Sequence, residues 1–255
     1  MSADKPMSIL GAILGGAAGF AVGGPIGALV GAAGGYAVQR FGESDAAGGE
    51  PSPLGEDATK QGTFTIGVIA LGAKMAKADG RVTPDEIAAF KRVFRTAPED
   101  EKDVAALFNR AKQDTAGFEA YARQLARVLE GAHEVKEEVI DCLFEIAIAD
   151  GEVHPSELKF LEDVAEILGL SPSDFARIRA VHMAADGGDP FAVLGLHHDA
   201  ENAEIKARYR QLARDNHPDK LMAEGLPEEV IAVANQKLAR INAAYDDIAK
   251  SRGIR

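Results

Sequence analysis

Two groups of side chains in this chain of 255 residues could do chemistry. His217 and Asp219, separated by Pro218, bring an imidazole and a carboxylate together after a run of cations, Lys206, Arg208, Arg210 and Arg214, with Lys220 just beyond. Such a pair suits acid-base work or recognition of a partner. The enzyme reading fails on its company: no nucleophile-base constellation and no phosphate-cradling glycine loop accompany the pair, and Pro218 separates the two side chains. The second group is Asp79, Glu86, Asp150 and Glu157, carboxylates that could converge on a divalent cation. It is not an EF-hand, because Arg81 or Glu152 stands at the third loop position and proline at the sixth. Helix capping explains the same residues without a ligand. Thr83 or His154 sits at an N-cap, Pro84 or Pro155 at the first helical position and Glu86 or Glu157 at the third, and this reading outweighs the metal one. No catalytic residue and no cofactor is expected.

The elements that must position His217 and Asp219 are legible in the surrounding pattern. Ile205, Tyr209, Leu212 and Ala213 fall on one face of a helix over 203–216, and Lys206, Arg210 and Arg214 form a cationic stripe on another. Pro218 ends that helix. A short apolar stretch, Asp189 to Leu196, precedes it, and a second long helix, 227–251, follows with Ile231, Leu238, Ile241, Tyr245 and Ile248 as its facing stripe. With His217-Pro218-Asp219 at the tip of this hairpin, residues 189–255 resemble a J domain, the DnaJ module that stimulates ATP hydrolysis by the chaperone DnaK. The resemblance implies that Phe191, Val193 and Leu194 pack a short helix onto the hairpin. It also implies that DnaK is met by Lys206, Arg208, Arg210, Arg214, His217, Pro218, Asp219 and Lys220, and that the chain catalyses nothing itself. The longer tip, with Lys220-Leu221 and Gly225-Leu226-Pro227, is similar to the DjlA type of J domain rather than to that of DnaJ.

Upstream, the chain repeats itself. Ala78-Asp79-Gly80-Arg81-Val82-Thr83-Pro84-Asp85-Glu86 returns as Ala149-Asp150-Gly151-Glu152-Val153-His154-Pro155-Ser156-Glu157 at an offset of 71. Each copy lies between amphipathic segments, 64–77 and 87–94 in the first, 139–148 and 158–168 in the second, so two helix-loop-helix units are predicted. Val82 and Val153 are expected to plug the core between their helices. Further helices are expected over 104–111, 118–129 and from Ser171, with Pro172 at its first position. His133, His154 and His182 lack metal-ligand spacing and are expected at the surface or in caps. Residues 63–188 resemble the TerB-like all-α domain, which lies between a membrane segment and a J domain in DnaJ-like membrane proteins of the DjlA type.

The N-terminus supplies the remaining part. No charged residue occurs from Met7 to Gln39, and Gly11, Gly15, Gly19, Gly23, Gly27, Gly31 and Gly35 recur at strict four-residue spacing. On a helix these glycines trace a bare ridge, the small-xxx-small surface by which membrane helices approach closely. As one helix the run is about 50 Å long against a hydrocarbon core of about 30 Å, so a tilted or kinked span and a re-entrant hairpin broken at Gly24-Pro25 both stay open. Residues 1–41 are thus expected to form the membrane segment, with a possible homodimer through the glycine ridge, and 42–62 a tether.

Charge and composition narrow the partners. Net charge is −12, and nearly all of it lies in 43–188, whose 16 basic and 28 acidic residues contrast with 10 and 11 in 189–255. A phosphate-tracking protein needs a broad basic field, so nucleic acid is not an expected partner. The single cysteine, Cys142, rules out a disulfide framework and a cysteine-rich zinc site. The expectation is an all-α protein: glycine-zipper membrane segment, TerB-like bundle and C-terminal J-domain hairpin. It would be held at the bacterial inner membrane with both domains in the cytoplasm. The alternative is a membrane scaffold or metal-sensing TerB-like protein in which the J domain is secondary.

Overall fold

A computed structural model of the chain describes residues 24–29, 56–78, 93, 101–113, 117–183 and 188–254. No strand occurs among the described residues, so the all-α expectation holds. Apart from a helical turn at 24–29, the helices are α1 (Glu56–Ala78), α2 (Glu101–Gln113), α3 (Phe118–Val128), α4 (His133–Ala147), α5 (Pro155–Leu168) and α6 (Pro172–Met183), then α7 (Pro190–Leu194), α8 (Asn202–Asp215), α9 (Pro218–Ala223) and α10 (Ile231–Arg252).

Helix α1 is the axis of the first bundle, packing on α2, α3, α4 and α5. From Phe64 to Ala76 its sequence is apolar on nearly every side, broken only by Thr65 and Lys74, which are themselves buried, and a helix without a polar face must be enclosed. The enclosure is tight where α1 crosses α3, since a Cβ on Gly67 would lie 2.6 Å from the Leu125 side chain. Glu56 to Gly62, placed by sequence in the tether, are the first turns of this helix. No helix among the described residues is long and apolar enough to cross a membrane.

The second copy of the repeat takes the conformation its capping pattern prescribes. A 3₁₀ turn, Ile148–Asp150, closes on Gly151 at φ 104°, a left-handed position that suits glycine. His154 is the N-cap of α5, Pro155 its first residue, and a Glu157 carboxylate oxygen accepts from the His154 backbone N–H at 2.9 Å. Val153 packs against the core from the loop. The first copy, with Asp79 and Glu86, lies outside the described residues, as does the Asp150 side chain.

The last third forms the expected hairpin. Helices α8 and α10 pack together with α7 across one end, around Phe191, Val193, Leu194, Ile205, Leu212, Ile241 and Ile248. Tyr209 and Tyr245 stack on its flank with centroids 4.0 Å apart. Three residues depart from the expected pattern, and of these Leu238, expected in the hairpin stripe, is half-buried outside the hairpin core. Ile231, placed by sequence in the hairpin stripe, packs instead against the core of the first bundle, together with Leu221, Leu226, Val230 and Val233. In the other direction, Val181 of α6 belongs to the hairpin core. Apolar packing therefore crosses the stretch near residue 188 in both directions, because the hairpin tip is itself apolar and is buried in the core of the first bundle.

Candidate functional site

Helix α8 ends where the pattern placed its end: Asp215 is its last residue and Asn216 its C-cap, with the Asn216 side-chain amide donating back to the Leu212 carbonyl at 2.8 Å. Pro218 then does more than stop a helix. It is the first residue of α9, with His217 as the N-cap. The His217 Nδ1 accepts from the Asp219 backbone N–H at 3.2 Å, which places the neutral ring's proton on Nε2 and turns that edge outward. The Asp219 carboxylate stands 3.8 Å from His217 Nδ1, too far for a hydrogen bond. The two side chains are 55% and 84% exposed. Imidazole and carboxylate are thus held as separate, outward groups on a capped turn, an arrangement for recognition rather than proton relay.

Beside them runs an open groove of about 690 Å³ lined by Ala207, Tyr209, Arg210, Ala213, Arg214, His217 and Lys220. Arg210 and Arg214 are exposed on it, and the Arg210 Nε donates to the Lys206 carbonyl at 3.1 Å. The structure separates two of the other sequence-predicted cations, Arg208 and Lys220, from this pair. Arg208 is half-buried and donates from Nε to the Leu194 carbonyl at 3.1 Å, tying α8 to the end of α7. The Lys220 ammonium lies 2.9 Å from Glu134, 3.0 Å from Asp215 and 3.6 Å from Glu224. Partial desolvation works against that charge, but the Glu134 and Asp215 carboxylates win and hold the ammonium above the usual lysine range. Lys220 therefore fastens the tip to the first bundle.

That fastening is one end of a larger arrangement that sequence reasoning missed. Helix α4 carries Glu134, Glu138, Asp141 and Glu145 at helical spacing, with Glu137 alongside, and this acidic ledge faces the hairpin. Lys237 of α10 is 1% exposed and lies 3.2 Å from Glu137, 3.0 Å from Glu138 and 2.8 Å from Asp141. Arg240, one turn on, reaches Glu145 at 3.2 Å. Arg177 of α6 pairs with Glu137. His182, expected at the surface, is buried: its Nε2 is 2.7 Å from Asp141, its Nδ1 3.3 Å from Glu145, and its ring stacks on Phe144 at 5.0 Å. The correction has a physical reason. α6 turns His182 inward, where two carboxylates can hold an imidazolium.

The ledge tunes its own charges. Burial pushes the Glu138 carboxyl up to about 7, opposed by Lys237 and aided by Asp141. Its Oε2, like the Asp141 Oδ2, has no hydrogen-bond partner among the described residues, and Glu138 is the member of the ledge whose carboxyl burial raises toward neutrality. Burial also acts to raise Glu137 and Asp141, but the Lys237 ammonium outweighs it and holds both below the usual carboxylate range. His182 is raised, burial being overcome by Asp141 and Glu145.

As for metals, Glu157 is engaged in its cap. His133, Glu137 and Asp174 do bring ligand atoms within 4.8 Å of one another. Glu137 in that trio already neutralises Arg177 and Lys237, so the group reads as part of the ion network.

Comparison with known proteins agrees with this layout. The family described as tellurite resistance protein TerB matches residues 65–180, the DnaJ domain 189–252, and the co-chaperone DjlA transmembrane domain 7–55. The co-chaperone protein DjlA of Shewanella oneidensis is 30% identical over 217 residues, covering 79% of this chain and 83% of that protein. Its counterpart in Vibrio cholerae is 30% identical over 246 residues, 84% of this chain and 85% of that protein. The one in Aliivibrio fischeri is 30% identical over 229 residues, 77% and 81%. No solved structure matches the chain at a significant level.

Proposed function

The chain belongs to the DjlA family of co-chaperones, and from that premise we propose that it recruits DnaK to a membrane surface and stimulates its ATP hydrolysis through His217-Pro218-Asp219. The observation that carries the reading is the capped, outward turn at the start of α9, standing beside a cationic groove open to solvent. Exposed Arg210 and Arg214, with Lys206 behind them, give a fast, salt-sensitive encounter with an acidic surface. His217 and Asp219 then engage the DnaK nucleotide-binding domain and favour the state that hydrolyses ATP. The co-chaperone works by differential affinity for two DnaK states and needs no catalytic residue of its own. In this division of labour Arg208 and Lys220 act indirectly, holding α8 and the tip in place.

The N-terminal run, matched as a transmembrane domain, is the anchor, with the TerB-like and J domains on the cytoplasmic side of the bacterial inner membrane where DnaK is found. The ridge Gly11, Gly15, Gly19, Gly23, Gly27, Gly31 and Gly35 pairs two such anchors. All of these but Gly27 lie outside the described residues.

The test is single-turnover ATP hydrolysis by DnaK with the membrane-reconstituted chain. Wild type is expected to accelerate it and His217→Gln to abolish the acceleration with the melting temperature unchanged; equal stimulation by both would refute the assignment. Replacing Gly19, Gly23 and Gly27 with Leu is expected to weaken dimerisation in a membrane reporter assay.

A further inference from the structure

The centre of the N-terminal uncharged run is placed where a membrane segment would not be. Residues 24–29 form a helical turn against the first bundle, with Ile26 fully buried and Leu29 4% exposed in the same apolar cluster as Phe64, Tyr121 and Leu125. The turn is read by a polar group. Gln124 of α3 is 4% exposed, and its side-chain oxygen accepts from the Ile26 backbone N–H at 3.0 Å across a sequence separation of 98. A carboxamide buried among apolar neighbours is costly unless its hydrogen bonds are met, so this contact stabilises bound over empty. Gly24 makes it possible. Its φ is +61°, and a Cβ there would lie 2.7 Å from the Gln124 oxygen, the very atom that Ile26 needs.

Hydrocarbon around Ile26 and a hydrogen bond to Gln124 exclude each other, because Gln124 belongs to a bundle whose outer helix faces carry charge. We propose that Gln124 and the surrounding apolar side chains of α1 and α3 form a seat for the centre of this chain's own anchor, occupied off the membrane and vacated on insertion. The ligand it fits is an uncharged helical turn that opens with a left-handed glycine. Outside the bilayer the seat shields Ile26 and Leu29 from water, and entry of the run into lipid removes the turn from α3. The exchange rests on the membrane reading of the N-terminal run and is independent of DnaK.

The experiment uses the full chain, synthesised without lipid, carrying Ala28→Cys labelled with a benzophenone maleimide. Ala28 is exposed in the seated turn, while Cys142 is buried and burial pushes its thiol well up, so the label goes to residue 28. Photolysis without lipid is expected to give adducts within α3. Vesicles of phosphatidylethanolamine and phosphatidylglycerol should convert these to lipid adducts in the floated chain. Adding Gly24→Ala forfeits both the left-handed turn and the Ile26 bond, and should reduce α3 adducts about tenfold without lipid. That change spares the four-residue glycine ridge, so flotation should not move, while the melting temperature without lipid should fall modestly as the seated turn is lost. Absence of α3 adducts, adducts unaffected by Gly24→Ala, or full adducts in floated chain would each overturn the proposal. Failure to float would overturn the membrane reading and with it the exchange, while α3 adducts would still report the seat.

Discussion

Arg214 and Lys237 are both cations of the J hairpin, and they live in opposite surroundings. Arg214 stands exposed over a groove, whereas Lys237 is enclosed by Glu137, Glu138 and Asp141. An exposed cation keeps its hydration and acts at a distance, so it steers a partner and contributes little to stability. A buried one has lost its water and is held only by the carboxylates around it. Its work is to fix one geometry, here the seating of the hairpin on α4.

The largest effect that tests this contrast is Lys237→Ala. Removing the cation leaves three buried carboxylates without their main partner and is expected to cost about 3–5 kcal/mol, read from chemical denaturation. Combining Lys237→Met with Glu138→Gln should recover part of that loss, since Glu137 and Asp141 keep Arg177 and His182 as their remaining buried partners. A loss no larger than that of Arg214→Ala would break the comparison.

Proton linkage supplies the next effect. Glu138 is raised from its ordinary 4.5 to about 7, so between those values the folded state binds more protons than the unfolded one and stability falls as pH rises. His182, raised above 6.5, adds stability that is present below 6.5 and lost as pH climbs through its folded value. Glu137 and Asp141 are lowered, and their contribution is lost only on acidification below the usual carboxylate range. The melting temperature should therefore drop from pH 6 to pH 8, and Glu138→Gln should flatten that slope. A melting temperature that rises over this range would contradict the assignment of the proton to Glu138.

Lys220 sits between the extremes, its side chain 36% exposed. Lys220→Met is expected to cost about 1 kcal/mol or less, and a double-mutant cycle with Glu134→Gln should show coupling between the two. The smallest effect on stability belongs to Arg210→Ala and Arg214→Ala, within about 0.5 kcal/mol. Those two should instead slow association with DnaK and flatten its salt dependence in stopped-flow measurements. Slowing by Lys220→Met as large as by Arg214→Ala would return Lys220 to the docking surface.

Much of this was legible in the residues. The span of α8, the start of α6 at Pro172 and the caps of α5 follow from signals within a few residues of each other, which local sterics and hydrogen bonding decide. The cationic stripe and the position of His217 after it were legible for the same reason, although the helix that starts at Pro218 and the partial burial of Arg208 and Lys220 were not. The acidic ledge was half legible. Glu134, Glu138, Asp141 and Glu145 recur at helical spacing, but in sequence that is what a solvated face looks like. Their partner Lys237 is 99 residues from Glu138, and no local pattern announces it. Likewise Leu221, Leu226 and Val230 are apolar residues in a hairpin tip, a sign that something covers the tip without saying what.

By itself the sequence determined most of the described helices and the caps of α5, but not the short helix α9 at the tip. Only the tertiary structure decided which charges stay wet. Lys220 and Arg208 carry the same formal charge as Arg210 and Arg214 and lie in the same short stretch, yet they are bound to Glu134 and to the Leu194 carbonyl. His182 and Lys237 were unremarkable as letters and became the centre of an interdomain joint. The reason is that desolvation depends on what the fold brings within a few ångströms, and that is a property of packed surfaces rather than of neighbours along the chain.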